Sequence, residues 1–123
     1  WLASRESDKE MVNKEKLLAA SPDETVWSNC ISGFTMRTLN SIWHQEWAKP
    51  DAPNPAPAPY QILLFAEIKQ IAEDYGLEAF MTEASGQGVN FINEMKPARQ
   101  MVLDMAEEAL EVFDELVGLD MDD

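Results

Sequence analysis

Cysteine and histidine are almost missing from this chain: its 123 residues hold one of each, Cys30 and His44. A single cysteine excludes an internal disulfide, and nothing requires an oxidising compartment. Structural zinc sites draw four ligands mainly from Cys and His, so a site of that kind is excluded too, and no metal ligands or cofactor are expected. If residues 30 and 44 share one straight helix, they stand roughly 21 Å apart, too far for a thiolate–imidazole pair. On that reading Cys30 is a buried structural residue, His44 is a surface or capping one, and no catalytic residue is expected. Long apolar runs are lacking as well. The longest, Ile62 to Ala66, cannot span a bilayer. No charged segment followed by an apolar one opens the chain, so no retained signal peptide is expected. The first residue is Trp1 rather than Met, which leads us to expect a processed or trimmed chain.

Positive charge is scarce in one half only. Residues 1–49 are nearly neutral, whereas residues 50–123 carry Lys69, Lys96 and Arg99 against sixteen Asp/Glu, which accounts for almost all of the net charge of −14. Such a field repels nucleic-acid phosphate and anionic membrane and attracts basic protein surfaces. What is present otherwise is ordinary: 46% apolar and 26% charged residues, with four Trp and seven Met, enough for one domain with a real core.

The helical signals run along the whole chain. Ser7-Asp8-Lys9-Glu10 has capping-box spacing ahead of a helix reaching about Ala20, and Ser21-Pro22-Asp23-Glu24 repeats it with Pro at the first helical position. The next helix is predicted from Pro22 to about Trp47, with Val26, Trp27, Cys30, Ile31 and Phe34 on one stripe. Leu39, Ile42, Trp43 and Trp47 lie on a second stripe, with a bend near Gly33 to Thr35. Five prolines in residues 50–59 favour a stiff polyproline spacer, roughly 30 Å long if fully extended. Tyr60, Leu63, Leu64, Ile68, Ile71 and Tyr75 then share a helix face that stops at Gly76, a short helix is expected over Leu77–Met81, and Ser85–Gly88 reads as a loop. Pro97 opens a last helix to about Val117, with Met101, Met105, Ala109, Val112, Phe113 and Leu116 facing one way; the tail from Gly118 to Asp123 is expected to fray.

The fold expected from these signals is all-α, four to five helices in a small bundle. A near-neutral helical hairpin (1–49) joins an acidic helical part (60–123) through the Pro-rich connection (50–59), in one cooperative domain overall. The expected function is non-enzymatic: an acidic helical protein that binds, and inhibits or regulates, a protein with a basic surface, with a nucleic-acid mimic as its sharpest form. Asp104, Glu107, Glu108, Glu111, Asp114 and Glu115 form the expected partner-binding face, because carboxylates on a rigid helix can imitate phosphate spacing and meet Lys/Arg at a groove rim. Trp43 and Trp47 join them as candidate anchors. The partner would be a nucleic-acid-binding protein rather than nucleic acid or membrane, with self-association open, in the cytoplasm or in a host compartment if the protein is viral or an effector. Two alternatives stand beside this. A magnesium-dependent all-α nucleotide pyrophosphohydrolase would use Glu67, Glu73 and Asp74 with Glu107, Glu108, Glu111 and Asp114. An assembly factor or subunit of a larger complex would use its Trp-bearing helix.

Overall fold

The computed structural model describes residues 1–120, with side chains through Gly118. Four helices and one antiparallel hairpin make up the fold: α1 (Met11–Ala19), β1 (Thr25–Ser28), β2 (Met36–Leu39), α2 (Ile42–Trp47), α3 (Tyr60–Asp74) and α4 (Ala98–Asp120). Short 3-10 turns lie at Pro22–Glu24, Glu78–Phe80 and Gln87–Phe91. The hairpin overturns the all-α expectation. Where one long helix was predicted over 22–47, the chain turns twice, and only Ile42–Trp47 is α-helical.

The reason is local. Thr25, Val26 and Trp27 are β-branched or aromatic and suit a pleated surface better than a helix. The box at Ser21 does form in part, with the Ser21 N–H donating to Glu24 Oε2 at 2.8 Å, but it closes a single turn and delivers the chain into β1. Gly33 has φ +83°, which ends any helix there. Thr25 then pairs with Leu39, Val26 with Thr38, Trp27 with Arg37 and Ser28 with Met36. On the exposed face the Arg37 guanidinium lies 5.0 Å from the Trp27 ring centroid, while its Nη1 donates to Thr25 Oγ1 at 2.8 Å. That cross-strand pair holds the register from the solvent side.

The outer edge of β2 is covered. Leu39 N–H donates to the Glu83 carbonyl at 3.0 Å and Ser85 N–H to the Arg37 carbonyl at 3.2 Å, so residues 83–85 run alongside as an extended segment. Glu83 is itself buried, and its carboxylate meets Lys9 at 3.2 Å and Lys69 at 3.8 Å, tying the N-terminal segment and α3 to that edge. Two small apolar clusters fill the interior: Leu17, Leu39 and Val89 on one side, and Cys30, Ile31 and Phe65 on the other, the latter flanked by Trp43 and Trp47.

α1 starts three residues later than the first capping signal implied; Ser7 Oγ accepts the Lys9 N–H at 3.3 Å and caps no helix. α3 follows its predicted span and closes at Gly76, φ +63°. Its buried residues are nevertheless Gln61, Phe65 and Ala72, whereas Tyr60, Leu63, Leu64, Ile71 and Tyr75 face solvent. α4 runs to Asp120, beyond the predicted end, and residues 121–123 of the expected frayed tail lie outside the described residues. No described helix is long and apolar enough to cross a membrane.

A candidate site between the hairpin and α2

Strand β1 with the turn after it, the latter part of α2 and the Pro-rich segment border an open cavity of about 510 Å³, walled by Val26, Trp27, Ser28, Asn29, Cys30, Asn40, His44, Gln45, Trp47, Ala48 and Pro55. None of these side chains is an acid, a lysine or an arginine. Cys30 and His44, expected on one helix and far apart, line the same cavity, because the hairpin folds residue 30 back toward α2. His44 is buried rather than a surface or capping residue.

His44 and the main chain of Cys30 are held by specific bonds. His44 Nε2 lies 2.7 Å from Thr38 Oγ1 and Nδ1 lies 2.9 Å from Ser41 Oγ. Burial lowers its pKa, so the ring is neutral at physiological pH, and one nitrogen donates to one hydroxyl while the other accepts from the second. Burial also raises the Cys30 pKa, which keeps the thiol protonated and poor as a nucleophile. The Cys30 carbonyl accepts two bonds, from the Trp43 indole N–H at 3.0 Å and from Gln61 Nε2 at 2.6 Å. Gln61, fully buried, turns its Oε1 to the Ala56 N–H at 2.9 Å and so ties the Pro-rich segment to the hairpin. Gly33 completes that joint. A Cβ there would sit 2.8 Å from the Ala56 carbonyl oxygen and from the Pro57 carbonyl carbon.

The residues singled out from the sequence fall in two places. Trp43 packs edge-on against Phe65 at 5.6 Å and against Trp47 at 5.7 Å, which places Trp43 beside the core and Trp47 in the cavity wall. Glu107, Glu108, Glu111, Asp114 and Glu115 stand exposed on α4. Asp104 differs: it accepts from Lys96 Nζ and Gln100 Nε2, both at 2.7 Å, and these bonds hold its pKa below the usual carboxylate range. Among the described residues no group of three or more His, Cys, Asp or Glu could hold a metal ion, so the α3 and α4 acids do not come together as the pyrophosphohydrolase alternative required. Sequence reasoning missed the hydroxyl partners of His44 and the role of Gln61. A glutamine inside an apolar stretch was the available signal, since buried amides need partners.

No protein-family model matches the chain. "Putative monooxygenase Rv1533" of Mycobacterium tuberculosis is 36% identical over 125 residues, covering 97% of this chain and 33% of that protein. Among solved structures, FabK from Thermotoga maritima superposes with a TM-score of 0.60 at 28% identity over 95% of this chain and 37% of that one. A point mutant of the same FabK gives 0.62 at 29% identity over 95% of this chain and 33% of that one. The chain thus spans about a third of the length of the proteins it matches. These findings overturn the expectation of a non-enzymatic binder. The inhibitor, the DNA mimic, the pyrophosphohydrolase and the bare assembly factor all give way to likeness with an enzyme of the oxidoreductase kind.

Proposed function

We propose that this chain is part of an oxidoreductase of the monooxygenase type, acting in the cytoplasm, and that the cavity between the hairpin and α2 is one wall of its small-molecule site. The observation that carries the reading is the 36% identity to the mycobacterial protein across 97% of this chain. The cavity supports it: ligand sites are concave, largely apolar and furnished with a few placed polar groups. Trp27 and Trp47 offer aromatic surface, and Asn29, Asn40 and Gln45 offer uncharged hydrogen bonds. Walls without formal charge suit an uncharged organic molecule, since an ion would lose hydration there without gaining a counter-charge.

In such a reaction one oxygen atom of dioxygen forms the new bond to substrate. The other leaves as water, taking two electrons and one proton as hydride from a reduced nicotinamide and a second proton from solvent. The part assigned to this chain is binding and orientation: the cavity presents aromatic surface from Trp27 and Trp47 and the side-chain amides of Asn29, Asn40 and Gln45. The test is dioxygen uptake by a chimera in which this chain replaces the homologous third of the mycobacterial relative. Uptake driven by a reduced nicotinamide, weakened by Trp47→Ala through a higher KM, is the expected result. A folded chimera that consumes no dioxygen with either nicotinamide overturns the reading.

A further inference from the structure

The apolar stripe of α4 is fully formed and uncovered. Met105, Leu110, Val112, Phe113, Leu116 and Val117 are all exposed, Phe113 at 67%. On α3 too, the predicted core face is turned outward while the face bearing Gln61 is buried. A helix alternates apolar and polar faces only when something covers the first. The surface area says how much is uncovered. A compact monomer of 13.9 kDa exposes roughly 6,700 Å², and this chain exposes 8629 Å². The excess over the whole chain, about 1,900 Å², leaves enough exposed surface for an interface of the size found in obligate assemblies.

We infer that the apolar face of α4 is a docking surface, and that its occupant is a folded polypeptide equivalent to the other two thirds of the relatives' length. The inference stands on area and on lengths, not on the chemistry proposed above: proteins alike over 95–97% of this chain are about three times as long. Charge selects against the other candidate, a second copy. Each chain carries −14, and Glu108, Glu111 and Glu115 border the stripe, so two such faces repel. The matching surface is apolar with lysine or arginine at its edge.

Hydrogen exchange on the same chimera tests this separately from any activity. In the isolated chain the α4 amides should exchange almost freely, because its residues from Met105 to Gly118 are all exposed. In the chimera their protection should rise by about 100-fold or more, and Phe113→Glu should abolish that rise. Equal lability in both overturns the inference, whether or not dioxygen is consumed. Sedimentation and anilinonaphthalene sulfonate fluorescence of the isolated chain give a second reading that does not depend on the chimera folding. A monomer that lights the dye, dimmed several-fold by Phe113→Glu, is the expected result; a stable dimer, or a monomer dark to the dye, overturns it.

Discussion

The hairpin region and α4 differ in how each satisfies its groups. Around the hairpin, polar atoms are buried and paired: His44 between two hydroxyls, Gln61 between two backbone groups, Glu83 between two lysines. On α4 the reverse holds, with apolar side chains in water and its ties to the rest gathered at the start. There the Ala98 N–H donates to Glu6 Oε2 at 2.7 Å, a bond that holds the Glu6 carboxyl below its usual range, and Lys96 pairs with Asp104. Stability of the isolated chain therefore resides in the first region, while the second stores binding surface. Substitutions should sort by region rather than by how hydrophobic the altered residue is.

The strongest break of that contrast is at glycine. Gly33→Val faces both the left-handed φ and the backbone of Ala56 and Pro57, and should cost about 3 kcal/mol or more, lowering Tm by on the order of 10 °C. Gly118→Ala meets no atom within 4 Å and should stabilise α4 by up to about 1 kcal/mol, read as helix content by circular dichroism. Next comes Gln61→Ala, which orphans the Ala56 N–H and one bond to the Cys30 carbonyl; urea denaturation should show a loss of about 2 kcal/mol. His44 sharpens the comparison through pH. Its folded pKa lies below the unfolded value, so the unfolded state binds the extra proton first. Its contribution is intact above the unfolded pKa of about 6.5 and is lost as pH falls toward the lowered folded pKa. Tm measured between pH 7 and pH 5 should fall more steeply for the wild type than for His44→Gln. The smallest effect belongs to α4: Phe113→Ser should move the stability of the isolated chain by no more than about 0.5 kcal/mol.

How much of this was legible in the sequence follows the same division. The spans of α3 and α4 and the stop at Gly76 were readable because helix period and punctuation agree there. Region 22–47 was misread because Val26, Trp27, Cys30, Ile31 and Phe34 also fit a helical stripe. Four residues of strand are too few for alternation to outweigh it, and the β-branched Thr25-Val26 with the turn residues Ser28-Asn29 was the stronger signal. The cavity could not be read, since it depends on the fold bringing residue 30 to residue 44. The exposure of the α4 stripe was hidden for a different reason. Periodicity reports which face wants cover, and is silent on which molecule supplies it.

The double bond load on the Cys30 carbonyl separates two properties that usually travel together. The joint between hairpin, α2 and Pro-rich segment is written in the main chain at position 30, whereas the thiol is packed in the apolar cluster with Ile31 and Phe65. Alanine in place of the thiol would thin that cluster and leave both bonds of the joint in place. Frame and filling can therefore change independently at one position.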